Sequence, residues 1–85
     1  MYNISWDNKA VKQLDKIDNG ETRKEIKNEA AKLADWPDVQ QVKKLTNHKH
    51  DYRLRVGRYR VFFAVEDTVR IIHIEEVKKR DDRTY

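Results

Sequence analysis

"DYRLRVGRYRVFF", residues 51–63, decides the fold of this 85-residue chain because it predicts a β-hairpin. Its apolar and basic residues alternate with a period of two, which is typical of strands with one buried and one exposed face. Gly57-Arg58 fits a two-residue loop, with glycine where a type II′ turn requires a positive φ. The expected cross-strand pairs are Val56 with Tyr59, Leu54 with Val61 and Tyr52 with Phe63 on the buried face, and Arg55 with Arg60 and Arg53 with Phe62 on the exposed face.

The exposed face of this hairpin is cationic. Arg55 would lie directly opposite Arg60, and like charges in that position destabilise a sheet. The pair therefore favours an anionic or aromatic partner above this face. The alternative is that two exposed strands carry an arginine pair by accident.

The composition predicts one domain, residues 1–85, with a lean core, because 38% of the residues are hydrophobic and 40% are charged. The chain has no cysteine, which excludes disulfides and thiolate chemistry and suits a reducing cytosol. The opening "MYNISWD" lacks the basic start and apolar core of a signal peptide, and no apolar run is long enough to cross a bilayer. We therefore expect a cytoplasmic protein without a membrane partner.

Basic charge is concentrated in one stretch of the chain. The 19 Lys and Arg exceed the 15 Asp and Glu by four over the whole sequence. From Lys43 to Arg60, however, the sequence contains seven basic residues and a single acid, Asp51. Such clustering is typical of nucleic-acid binders.

Two helices are predicted between a first strand, "YNISW", and the hairpin. Asp7 can cap a helix that begins near Asn8 and ends at Asn19-Gly20. Thr22 to Glu25 has the pattern of a capping box for the second helix, which Trp36-Pro37 ends. The residues with helical spacing expected to be buried are Ala10, Val11, Leu14 and Ile17 in the first helix and Ile26, Ala30 and Leu33 in the second.

Residues 38–51 are consistent either with a last helical turn or with a short connection. Strands are expected at 52–56, 59–66 and 69–77. A two-residue loop at Asp67-Thr68 would pair Phe62 with His73 and Arg60 with Glu75, where the glutamate could hold the arginine. The β-α-α-β-β-β order predicts an α+β fold in which a two-helix hairpin packs on one face of a mainly antiparallel sheet, with the arginines on the other face.

Two segments, "YRLRVGRYRVFF" and "VKKRDDRTY", resemble the RelE/ParE superfamily of toxins from type II toxin-antitoxin systems, and more closely its RelE-like ribonuclease branch. The order of elements is similar over essentially the whole chain. The resemblance implies an endoribonuclease that cuts mRNA in the ribosomal A site and so inhibits translation. It implies attack by the ribose 2′-hydroxyl without a metal or other cofactor. The implied partners are an antitoxin, mRNA and the ribosome.

The resemblance also implies roles for individual residues. Arg60 matches the arginine that grips the scissile phosphate, and Arg80 matches a C-terminal arginine that shares this task. Tyr85 resembles a terminal tyrosine that stacks on a base or assists proton transfer. Arg53 and Arg55 stand where relatives often carry lysine, and because arginine effectively cannot deprotonate we expect both to act electrostatically.

The general base is sought in "NHKHD", just before the hairpin. His50 is the first candidate, because a cationic surface would keep its imidazole neutral. The alternatives are that His48 and His50 are loop residues without a role, or that they bind a metal with Asp51, for which no further ligand is in view. His73 could take part or be a plain strand residue.

Further cations are expected to add salt-dependent RNA affinity without chemistry; these are Lys43, Lys44, Lys49, Arg58, Lys79 and Arg83. Arg80 and Arg83 could instead pair with Asp81 and Asp82. Two other functions remain open. One is a ParE-like toxin that poisons DNA gyrase by binding it, and the other is a non-catalytic RNA-binding module.

Overall fold

The computed structural model describes residues 1–80 and shows two helices packed against a five-stranded mixed sheet. The strands are β1 (Asn3–Trp6), β2 (Val42–Lys44), β3 (Tyr52–Val56), β4 (Tyr59–Glu66) and β5 (Ile71–Lys79), and the helices are α1 (Asn8–Asp15) and α2 (Gly20–Ala31), which a 3-10 helix (Lys32–Asp35) continues. The sheet order is β1-β5-β4-β3-β2, with only β1 and β5 parallel. This confirms the predicted α+β fold and its order of elements.

The hairpin has the predicted register. Arg55 pairs with Arg60, and Arg53 pairs with Phe62. Gly57 has a φ of 56°, whereas Arg58 is not in the left-handed region, as a type II′ turn requires. The buried residues of the two strands that face the helices are Leu54, Val56, Val61 and Phe63. The arginines therefore lie on the face that the helices leave open.

The core lies between the sheet and the helices. Phe63, Ile72 and Ile74 are fully buried and pack in one cluster with Ile26 and Leu33. Val11, expected in the buried stripe of α1, is instead 39% exposed, while Ala10, Leu14 and Ile17 are buried. The helix thus contacts the sheet along a narrower stripe than its sequence suggests. Within residues 1–80, neither helix combines the length and apolar character needed to cross a bilayer.

The start of α2 differs from the prediction. The side chain of Asn19 accepts hydrogen bonds from the backbone N–H groups of Glu21 at 2.9 Å and of Thr22 at 3.2 Å. Because Asn19 already satisfies two free N–H groups, the helix begins at Gly20 and Thr22 lies inside its first turn. The expected capping box from Thr22 to Glu25 is therefore wrong. Asp7 does occupy the N-cap of α1, but its side chain makes no capping hydrogen bond.

Residues 38–51 include an edge strand that the sequence analysis missed. β2 pairs antiparallel with β3, so that Lys43 lies opposite Arg53 and Lys44 opposite Tyr52. The strand has three residues, two of them lysines, and such a short segment shows no measurable alternation of apolar and polar residues.

The connection between β4 and β5 is longer than predicted. It occupies Asp67 to Arg70, and Arg70 adopts a φ of 55°. The pairing is shifted again by a bulge beside Phe62 and Phe63. Phe62 consequently pairs with Glu76 and Arg60 with Lys78, so the expected pairs of Phe62 with His73 and of Arg60 with Glu75 are wrong.

Candidate functional site

Five arginines line one cleft of about 200 Å³ on the open face of the sheet, which we call the arginine cleft. Its lining residues are Arg53, Arg55, Gly57, Arg58, Tyr59, Arg60 and Arg80. They come from β3, the hairpin turn, β4 and the segment after β5. The structure thus brings together four of the predicted catalytic residues, Arg53, Arg55, Arg60 and Arg80, with Arg58.

A backbone hydrogen bond places Arg80 at this cleft. The N–H of Arg80 donates to the carbonyl oxygen of Arg58 at 2.6 Å. The end of β5 is therefore tied to the hairpin turn between β3 and β4. Arg83 and Tyr85, which the sequence analysis assigned to the same site, lie outside the described residues, as do Asp81 and Asp82.

The register adds a third cation to the arginine pair. Arg60 has Arg55 as its neighbour on β3 and Lys78 as its neighbour on β5. Three cationic side chains in one row repel each other and concentrate a positive potential at the cleft. In addition, the Nε atom of Arg53 is buried and has no hydrogen-bond acceptor within residues 1–80. A buried donor without an acceptor costs about 1–3 kcal/mol.

The remaining predicted RNA contacts are spread over both faces. Lys43 lies opposite Arg53 and extends the cationic face onto β2. Lys44 and Lys79 lie opposite Tyr52 and Tyr59, and therefore on the side of the sheet that bears the helices. Lys49 lies 3.9 Å from a carboxylate oxygen of Glu76.

His50 is held by two carboxylates, so the expectation of cationic surroundings is wrong. It is 8% exposed, with Nδ1 2.9 Å from Glu75 and Nε2 3.1 Å from Glu76. Carboxylates only accept hydrogen bonds, and both contacts are hydrogen bonds when both ring nitrogens carry a proton. Consecutive residues of a strand normally point to opposite faces, but the bulge leaves Glu75 without a cross-strand pair, and both Glu75 and Glu76 contact the ring of His50. Glu75 thus contacts His50, and the residue of β5 that pairs with Arg60 is Lys78.

Glu76 is the centre of this ion-pair cluster and was not predicted as a functional residue. Burial alone would raise the pKa of Glu76, but hydrogen bonds from Lys9 and His50 and the charges of Lys78 and Lys9 outweigh it and lower the pKa to about 2. The Lys9 ammonium lies 2.7 Å from the carboxylate. Glu76 thus ties α1 and the loop before β3 to β5.

Three rings gather next to this cluster. Phe62 stacks against His48 with a centroid distance of 5.4 Å and against His50 at 5.0 Å. Phe62 and His50 are buried, whereas His48 is exposed. His73 lies apart from them, paired with Ala64, and its Nε2 is 2.8 Å from Glu66. Within residues 1–80 no group of three His, Cys, Asp or Glu side chains is arranged so that it could hold a metal ion, so His48, His50 and Asp51 do not form a ligand set.

Solved structures of toxins share this fold. The isolated RelE toxin of E. coli superposes with a TM-score of 0.78 at 20% identity, covering 95% of this chain and 86% of that one. The RelE-RelB complex of Pyrococcus horikoshii OT3 gives a TM-score of 0.77 at 25% identity, covering 95% of this chain and 97% of that one. The toxin-antitoxin complex RelBE2 of Mycobacterium tuberculosis gives a TM-score of 0.79 at 21% identity, covering 93% of this chain and 98% of that one.

The comparison with curated proteins found no match. The model of one protein family, described as the ParE toxin of the type II toxin-antitoxin system parDE, matches residues 4–83. That range includes both helices, β2 to β5, all of β1 except Asn3, and every arginine of the arginine cleft. The chain therefore belongs to the ParE toxin family of type II toxin-antitoxin systems, within the RelE/ParE superfamily.

Proposed function

We propose that this toxin is an endoribonuclease that cleaves mRNA in the ribosomal A site and thereby stops translation. The observation that carries the proposal is the convergence of five arginines on one cleft. Arg55 and Arg60 lie directly opposite each other, and like charges in that position destabilise a sheet. Bound phosphate would offset this cost.

The arginine cleft suits cleavage by the RNA's own 2′-hydroxyl. The 2′-oxygen forms a bond to the adjacent phosphorus while the bond to the 5′-oxygen breaks, leaving a 2′,3′-cyclic phosphate and a 5′-hydroxyl. The 2′-hydroxyl loses a proton and the departing 5′-oxygen gains one. Guanidinium groups donate paired hydrogen bonds to phosphate oxygens and remain charged, so they stabilise the additional negative charge of the transition state without a metal ion.

Within this proposal Arg60 holds the scissile phosphate, since it is the central cation of its row. Arg80, which is tied to the hairpin turn at Arg58, contacts the same phosphate, and Arg53 and Arg55 bind the flanking backbone. The family resemblance assigns proton transfer to Tyr85. The two carboxylates that hold His50 favour a positioning role for it over a role as general base.

We also propose an antitoxin as the physiological partner. Two of the structural relatives described above are toxin-antitoxin complexes, from Pyrococcus horikoshii and Mycobacterium tuberculosis. An acidic or amphipathic antitoxin segment would complement the cationic face and relieve the repulsion between Arg55 and Arg60. Binding would then stabilise the toxin by mass action.

Cleavage by the purified chain tests the proposed function. Ribosomes with a defined codon in the A site are incubated with the native chain or with Arg60→Ala, and the 5′ ends of the mRNA are mapped by primer extension. We expect a new 5′-hydroxyl end within the A-site codon, reduced at least a hundredfold by Arg60→Ala, the order of loss when one transition-state donor is removed. Bound but uncut RNA would contradict the proposal and indicate a non-catalytic RNA-binding module.

The match to the ParE toxin family favours gyrase binding as a second candidate function. A gyrase-binding toxin would have no need of a convergent phosphate site. Supercoiling by purified gyrase is therefore measured with the same preparation. Inhibition of supercoiling without cleavage of mRNA would replace the proposed ribonuclease by this candidate.

A further inference from the structure

We propose that His48, Phe62 and His50 form a platform on which one RNA base stacks next to the arginine cleft, an inference that rests on the proposed ribonuclease function. The three ring centroids are 5.0–5.5 Å apart, and the ring of His48 is within 13° of parallel to Phe62. We call this cluster the His-Phe platform. Its lower part, Phe62 and His50, is buried, and His48 is the exposed member that a ligand can reach.

The His-Phe platform is held in place before any ligand binds. Glu75 and Glu76 each contact one ring nitrogen of His50. The Nδ1 atom of His48 accepts a hydrogen bond from the backbone N–H of His50 at 3.0 Å. A neutral His48 consequently carries its proton on Nε2, which leaves a donor directed away from the loop backbone. Rings that are already oriented bind a base without the entropy cost of ordering them.

The position of the His-Phe platform fits an RNA chain whose phosphate occupies the arginine cleft. Phe62 pairs with Arg53, which lines the cleft, and lies two residues from Arg60 on the same face of β4. Two residues of a strand span about 7 Å. A nucleotide with its phosphate at Arg60 or Arg53 can therefore place its own base, or that of its neighbour, over His48. Stacking on aromatic rings is the usual way in which proteins hold unpaired RNA bases.

Removal of single bases from a bound RNA tests the His-Phe platform. The probe is a 2′-O-methyl oligoribonucleotide with the sequence around a site that the native chain cleaves, which lacks the attacking hydroxyl and stays intact. Versions lacking one base at each position in turn are compared by fluorescence anisotropy. We expect one position at which the loss of the base weakens binding to the native chain about tenfold, the lower end of what base stacking contributes.

Two substitutions at His48 separate the ring from the loop. His48→Asn removes the ring and keeps an acceptor for the N–H of residue 50, as asparagine does in turns. It should bind the complete RNA about tenfold more weakly and be insensitive to removal of that base. His48→Phe keeps a ring and loses the acceptor, and it should retain the base dependence. A purely structural role of His48 predicts the reverse order of the two variants.

The outcomes distinguish the two proposals. The native chain could cleave mRNA while removal of any single base weakens its RNA binding no more than it weakens that of His48→Asn. This result would overturn the His-Phe platform and leave the ribonuclease proposal in place. If the native chain neither cleaves nor binds RNA, both proposals are overturned together.

Discussion

At the scale of single residues, the charges of this toxin fall into two classes. Lys9 and His50 both contact the buried carboxylate of Glu76, and these contacts stabilise the fold. Arg55, Arg60 and Lys78 lie side by side on β3, β4 and β5, where like charges repel each other, and Lys78 also lies 4.0 Å from a carboxylate oxygen of Glu76. Substitutions in the two groups should therefore move stability and activity in different directions.

Arg55→Gln tests the row of like charge. Arg55 is exposed and lies opposite Arg60, so its loss should leave the free energy of unfolding unchanged or raise it by up to about 1 kcal/mol. The same substitution should lower the rate of mRNA cleavage, because one phosphate donor is lost. Urea unfolding and primer extension on the same preparation measure both effects. A variant that is clearly less stable than the native chain would show that Arg55 has a structural role.

Glu76→Gln tests the buried cluster, and its effect should depend on pH. The folded-state pKa of Glu76, about 2, lies below its ordinary value of 4.5. The carboxylate therefore stabilises the fold fully above about pH 4.5, and this contribution is lost as the pH falls towards 2. At pH 7 the variant should be less stable by about 3 kcal/mol, from about 1.4 kcal/mol per pKa unit.

Urea unfolding at pH 7 and at pH 3 checks this prediction. The gap between the native chain and Glu76→Gln should be smaller at pH 3, because Glu76 is then protonated in the unfolded chain but still mostly ionised in the folded chain, so unfolding is favoured by proton uptake. Glu66→Gln is the matched control, since Glu66 also contacts a histidine but is 55% exposed. A gap of equal size at both pH values would mean that the charge of Glu76 is not what holds the cluster.

At the scale of elements, the sequence predicted those parts in which neighbouring residues determine the geometry. The register of β3 and β4 follows from strict alternation and from a glycine at the turn, and both are local. The β4-β5 pairing could not be predicted because it depends on a four-residue turn and on a bulge that displaces Glu75. β2 forms only because β3 provides a partner strand, and nothing in its three residues indicates it.

Asn19→Ala tests which residue caps α2. Asn19 accepts two backbone hydrogen bonds, so its removal should lower the free energy of unfolding by about 1 kcal/mol. Thr22→Ala removes the residue expected from the sequence pattern and should change stability by less than about 0.5 kcal/mol. Denaturant unfolding of both variants measures the difference. A larger loss of stability with Thr22→Ala than with Asn19→Ala would mean that Thr22 caps α2.

At the scale of the whole molecule, the fold separates a face covered by helices from a cationic face. The resemblance of two short segments assigned Arg53, Arg55, Arg60 and Arg80 to one site, and in the structure these four residues line one cleft. The sequence could not predict the contact of His50 with Glu75 and Glu76, since these residues are at least 25 positions apart and meet only when the loop before β3 folds over β5. The catalytic roles of the four arginines are a prediction.

The most direct test of the ribonuclease proposal is a transcriptome-wide map of mRNA 5′ ends after brief induction of the toxin. The native chain is compared with Arg80→Ala and, as a control, with Lys24→Ala, which removes an exposed cation of α2 that does not line the arginine cleft. We predict new 5′-hydroxyl ends in register with codons, lost with Arg80→Ala and retained with Lys24→Ala at matched protein levels. Growth arrest by the native chain without new ends, or ends that persist with Arg80→Ala, would contradict cleavage at the arginine cleft.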